Sequence, residues 1–285
     1  MIELIKAFQE MFAYDFMRNA FMAGTLAAVV SAIIGYFIVL RSQNFAGHAL
    51  SHIAFAGAAG AGLVGLSPPT GQLVLTLLAA IGMGVMGERA SKSDVAIGIM
   101  LAFSLGLGIL FLHFYTNYAG QAMTILFGDL LGVSEKLIRT MIVYFIISLA
   151  GIAIIGKRLL FTSLEPELAE AKGISLRLIS ILFLMLVAIA IAEASQVVGI
   201  LLVFTLLVGP AASALSCTHF FWSGMGLSLF IGILTVWIGI ILAYFTNWPV
   251  TFWISTLSFF CYLCFRNIHM RIHRMPLYKN TTRTS

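Results

Sequence analysis

The chain has 285 residues, 61% hydrophobic and 9% charged, with 16 Lys and Arg against 11 Asp and Glu for a formal net charge of +5. A soluble domain carries about a quarter of its residues as charges, so this composition excludes a water-soluble globular protein and places the chain in a bilayer. The apolar runs are continuous rather than alternating, which excludes a closed β-barrel and leaves an all-α polytopic membrane protein.

Residues 1–18 read as an interfacial segment: Ile5, Phe8 and Phe12 share a helical face, while Glu3, Glu10 and Asp15 interrupt the rest. Those charges and a span-length first apolar run argue against a cleavable signal peptide. A span needs about 20 apolar residues. On that basis helices are expected near 19–40, 47–66, 71–88, 94–114, 138–157, 175–192, 197–216, 222–245 and 249–266, giving eight or nine spans in one transmembrane domain over 19–266. The run 120–134 is too short to cross and is expected as a short helix at one surface. Residues 267–285 form a basic tail.

Positive charge sets the orientation. Arg41, Arg89, Lys92, Lys157, Arg158, Lys172, Arg266, Arg271, Arg274 and Lys279 fall on one side, against Lys6, Arg18, Lys136 and Arg139 on the other. The rich side is expected to be cytoplasmic, with the C-terminus inside. Because the cations sit in short clusters between spans, the net charge does not point to nucleic acid. An internal echo also exists: Ser42-Gln43 before Gly47 to Gly57 parallels Ser195-Gln196 before Gly199 to Gly209. The two segments would run in opposite directions, as inverted repeats of transporters do.

His48 and His52 are the most informative residues. Four residues apart on a helix, they stack on one face, and neutral imidazole is a good ligand for a first-row divalent metal. Ionisable groups at membrane depth are costly and mark functional sites; the alternative is a hydrogen-bonded pair lining a helix contact. Glu193, beside Ser195 and Gln196, is expected near the outer end of its span. There it either hands a cation into the membrane or is a solvated helix end. The stretch 164–174 suits a short amphipathic helix, with Pro166 in the first turn and Gly173 at the stop. It is either a docking helix for a partner groove or an ordinary connector.

Other patterns carry less. Gly151 to Lys157 spells G-x-x-x-x-G-K, but Arg158 replaces the Ser or Thr that would hold magnesium, and no strand precedes it. Gly82 to Gly87 spells G-x-G-x-x-G inside a span, where small residues serve helix packing. Ala49 stands where a metalloprotease helix needs its Glu, which weakens an intramembrane metalloenzyme. Cys261 and Cys264 form a lone C-x-x-C read as packing. His269 and His273 repeat the four-residue spacing in the basic tail, where attraction to anionic lipid explains the charge and a metal sensor is the alternative.

Three ordered motifs carry a family resemblance: Leu40-Arg41 with Phe45-Ala-Gly-His-Ala-Leu-Ser-His52, Glu165-Pro-Glu-Leu-Ala-Glu-Ala-Lys-Gly-Ile174, and Val197-Val-Gly-Ile-Leu-Leu-Val-Phe-Thr-Leu-Leu-Val-Gly-Pro-Ala-Ala212. Together they resemble the permeases of bacterial ABC importers for zinc, manganese or iron. The resemblance implies the compact type II importer fold related to cobalamin permeases, in the bacterial inner membrane. It implies a homodimer with two ATPase subunits and an extracytoplasmic metal-binding protein. The chain itself would be no enzyme and would hold no tight cofactor, the divalent metal being its cargo. By the same resemblance Glu165, Pro166, Glu167, Ala169, Glu170, Ala171 and Gly173 form the coupling helix, and His48 and His52 fall on the metal path. The family usually has Asp where this chain has His48; two imidazoles lean toward zinc or iron over manganese. The rival to an ATP-driven importer is a gradient-driven carrier or channel, which the shortage of acidic residues in the spans disfavours.

Overall fold

A computed structural model describes residues 10–86, 90–115, 125–130, 132–218 and 220–274, with the backbone alone at 90–93 and 268–274. Among the described residues there is no strand. The helices run α1 (Asp15–Leu40), α2 (Asn44–Leu63), α3 (Pro68–Met86), α4 (Ala90–His113), α5 (Glu135–Leu164), α6 (Pro166–Ala171), α7 (Leu176–Val198), α8 (Ile200–Leu215), α9 (Phe221–Thr246) and α10 (Val250–Arg274). Of these, α1, α3, α4, α5, α7 and α9 are long and apolar enough to cross a membrane. The shorter apolar α8, with α2 and α10, packs among them.

The helix ends follow local chemistry. Ser134 and Ser175 cap α5 and α7, accepting from the amides of Leu137 and Leu178 and so satisfying first-turn donors that have no partner within the helix. Pro166 starts α6, where its missing N–H costs nothing. Several ends differ from expectation. α1 begins at Asp15, so its first turn takes in residues assigned to the interfacial segment, and Met11 and Met17 are buried. α5 runs to Leu164, because nothing in Lys157–Ser163 breaks a helix and the cations project beyond the bundle. α10 continues into the basic tail as far as Arg274, while 1–9 and 275–285 lie outside the described residues.

Two groups of helices build the bundle. α2 packs on α3 and α4, and α3 packs on α7; α1 packs on α8 and α9, which α10 joins. α5 spans the groups by touching both α1 and α7. The posts are α1 and α7, with 67% and 72% of their apolar windows buried against 22% for α4 and α5, whose remaining faces suit lipid. α2 and α3 cross at Gly57 and Gly71, where a methyl on either would come within 2.4 Å of the other's carbonyl oxygen, so backbone meets backbone there. Within the G-x-G-x-x-G pattern Gly84 packs likewise, since a methyl there would press 2.6 Å from Ile181, while Gly82 has room for one and Gly87 lies outside the described residues.

Alternation along the chain gathers the Leu40–Asn44 turn, the ends of α3 and α5, and α6 at one end, here called the basic end. The α2–α3 and α9–α10 turns lie at the opposite end, together with the α7–α8 break at Gly199. α2 and α8, which follow the two echoed Ser-Gln pairs, therefore run in opposite directions. Part of the expected surface helix is tucked in: residues 125–127 are helical, and Leu130 and Val133 are buried. Residues 116–124 lie outside the described set.

Candidate metal path and docking segment

The first three turns of α2 carry both histidines. Their rings meet edge to face with centroids 4.6 Å apart, and His48 also meets the Phe204 ring of α8 at 4.9 Å. Both are half-buried, and His48 Nδ1 is buried with no hydrogen-bond partner among the described residues. Ser51 is not part of the pair, because its hydroxyl donates to Gly47 O on its own helix. The hydrogen-bonded alternative therefore lacks a partner at His48 Nδ1, while the spacing is one at which two histidines of a helix bind a single metal ion.

Glu193 departs from expectation. It is 0% exposed within α7, and neither carboxyl oxygen has a hydrogen-bond partner among the described residues. The solvated-end reading fails because α7 continues to Val198 and neighbouring helices close over it. Cross-links fix its level. Gln43 Nε2 donates to Ser180 Oγ at one end of the α2–α7 pair, and Gln72, whose Cα would lie 3.0 Å from a methyl on Gly57, accepts from Ser195 at the other. α2 and α7 thus run parallel in near register, which sets Glu193 roughly four residues, or about 6 Å along the axis, toward the opposite end from His52. Among the described residues no three His, Cys, Asp or Glu side chains gather to hold a metal. The structure brings His48 and His52 together and leaves Glu193 outside that pair.

Sequence reading missed Gln72. Its Oε1 accepts from Ser195 Oγ at 3.0 Å and from Gln196 Nε2 at 2.6 Å. This knot floors a cavity of about 200 Å³ at the opposite end, lined also by Pro68, Gly128 and Asp129. A lone glutamine early in an apolar span was the available signal.

At the basic end, Glu165 joins α5 to α6 as their shared cap. Gly173, at φ +78°, ends the segment, and Lys172 Nζ lies 5.0 Å from the Phe161 ring, folding the end of α6 back on α5. Glu165, Pro166, Glu167, Leu168, Glu170, Ala171 and Gly173 are exposed. Ala169, expected in the docking segment, is 0% exposed with its methyl turned into the chain's own packing, and the outward apolar group is Leu168. Cys261 and Cys264 are free thiols on α10. The side chains of His269 and His273 lie outside the described residues.

A sequence model of the ABC 3 transport family matches residues 13–266. The manganese transport system membrane protein MntC of Listeria innocua is 31% identical over 235 residues, covering 82% of this chain and 84% of that protein. The high-affinity zinc uptake system membrane protein ZnuB of Haemophilus influenzae is 30% identical over 233 residues, covering 81% and 89%. Among solved structures, PsaBC from Streptococcus pneumoniae in complex with Fab superposes with a TM-score of 0.83 at 28% identity, over 96% of this chain and all of that one. With a family match of that extent and relatives of that identity and coverage, the chain belongs to the ABC 3 transport family.

Proposed function

We propose that this chain is the membrane-spanning subunit of an ATP-driven importer of a divalent metal ion. The observation that carries the reading is the His48–His52 pair, edge to face near the basic end of α2 with a buried nitrogen that has no partner among the described residues. The pair offers two nitrogen donors, short of the four typical of a zinc site. A second copy supplies the rest: both histidines are half-buried on a side where Leu201 is exposed and Phe204, Thr205 and Val208 are half-buried. A twofold partner on that side would bring a second pair across the path. ATPase subunits would dock on the exposed residues of α6 in the cytoplasm, and a metal-binding protein would deliver at the opposite end, above the Gln72 knot. Glu193 would meet the ion between that mouth and the histidines. The C-terminus is cytoplasmic in this arrangement.

Zinc is the favoured cargo. Similar proteins carry the names of manganese and zinc systems, and a site built on paired imidazoles suits zinc or iron better than manganese. The deciding experiment is metal-resolved uptake in a strain lacking other importers, with His48→Ala and His52→Ala beside the wild type. Zinc uptake that needs both histidines and the ATPase is the expected result. Metal movement by purified permease in liposomes without any ATPase would favour a gradient-driven carrier.

A further inference from the structure

We propose that Arg41 is the positioning residue that transmits movement of the α6 segment to the histidine-bearing helix α2. This rests on the reading of α6 as the ATPase contact. Arg41 opens the three-residue turn between α1 and α2, and its Nη1 donates to Thr162 Oγ1 at 3.1 Å and to Ser163 Oγ at 3.3 Å. Both hydroxyls in turn donate to Leu159 O, so Arg41 grips the last turn of α5 rather than two free rotors. Glu165 alone separates that turn from α6. A displacement of α6 therefore reaches the guanidinium through less than two turns of helix.

The other side of the turn is equally constrained. Ser42 has φ +55°, a left-handed conformation uncommon outside glycine, and Gln43 donates to Ser180 Oγ on α7. With so little slack, a pull on Arg41 acts on the start of α2, where His48 is the fifth residue. A cavity of about 350 Å³ beside the turn, lined by Arg41, Gln43, Asp94, Thr162, Pro166 and Ser180, leaves room for it to shift. Arginine suits the task because one guanidinium nitrogen, Nη1, reaches both hydroxyls while the planar face of the group lies 5.9 Å from the Phe183 ring. Lysine offers a compact point charge with no planar face to lie against that ring. A cation here is no ligand for a departing metal ion, so the role is mechanical.

The test uses the complete complex of permease, ATPase and binding protein in liposomes, reading ATP hydrolysis and the uptake of radioactive zinc and manganese separately. Arg41→Ala should leave ATPase association and hydrolysis within about twofold of wild type, as a change outside the contact surface does. Metal moved per ATP should fall at least about tenfold, the effect of losing hydrogen bonds to a charged group. The pair Thr162→Val with Ser163→Ala, which keeps Arg41 but removes both of its hydroxyl acceptors, should reproduce the loss, and Arg41→Lys should recover part of it. Combining all three substitutions should be no worse than Arg41→Ala alone. The proposal is overturned by wild-type metal per ATP in Arg41→Ala, by additive losses in the combination, or by parallel loss of ATPase association. A wild-type complex with no ATP-dependent uptake would instead remove the importer reading itself.

Discussion

Gln196 donates its side-chain Nε2 to Gln72 Oε1 across 2.6 Å, and Ser195 donates to the same oxygen, so one acceptor on α3 holds two donors of α7. Gln72 is 3% exposed, and water has little access to replace it. Gln72→Leu keeps the bulk but removes the shared acceptor, leaving Ser195 and Gln196 only their longer 3.3 Å bonds to Ala192 O within α7. The expected cost is about 1–3 kcal/mol, measured as a lower thermal midpoint of purified permease. An unchanged midpoint would mean that the knot does not hold α3 to α7.

Glu193 poses the opposite problem. A carboxyl group buried with neither oxygen bonded among the described residues destabilises the fold, because burying a polar group without a hydrogen bond costs about 1–3 kcal/mol. Glu193→Leu should therefore raise or preserve the thermal midpoint. If the carboxylate serves the cation path, the same variant should lose most metal uptake, and Glu193→Asp should retain part of it. Stable protein with full uptake in Glu193→Leu would take the residue out of the path.

Gly199 joins α7 to α8 at φ 73° and ψ 165°, a region essentially reserved for glycine, and an added methyl would lie 2.3 Å from Phe127 C and 2.4 Å from Gly128 N. Gly199→Ala should destabilise by about 3 kcal/mol or more, combining backbone strain with overpacking. Gly226, within α9, is open: a methyl added there would meet nothing within 4 Å. Gly226→Ala should be neutral or stabilising by about 0.5–1 kcal/mol. Equal stability of the two variants, measured by denaturation in the same detergent, would remove the close-approach account of the α7–α8 break.

Much of this was legible in the sequence because a bilayer leaves few options. Continuous apolar runs located the helices, although α5 and α10 run seven and eight residues past their expected ends, and the i,i+4 spacing of His48 and His52 placed their rings together. Burial was not legible. Glu193 near the end of an apolar run reads as solvated, and only the packing of neighbouring helices reveals that it is enclosed. Gln72 and Arg41 were hidden for a related reason: their partners lie 124 and 121 residues away, and no local periodicity reports such contacts. Ala169 and Leu168 are adjacent and both apolar, so which one faces outward depended on how α6 folds back on α5.

That last distinction gives the sharpest test of the docking segment. Leu168 is 47% exposed and Ala169 is 0% exposed. Ala169→Glu forces a charge into the packed interior beneath α6, so it should lower the thermal midpoint and yield of the isolated permease. Leu168→Glu leaves the isolated protein unaffected, within about 0.5 kcal/mol, as a surface substitution does. At a helix-in-groove contact, however, the same unpaired charge costs several kcal/mol, enough to weaken association by roughly a hundredfold or more. Purified Leu168→Glu permease should therefore fold and elute as wild type yet fail to retain the ATPase, losing uptake with it. Full ATPase binding by that variant would place the contact elsewhere on the basic end, and wild-type stability of Ala169→Glu would overturn the inward orientation of that residue.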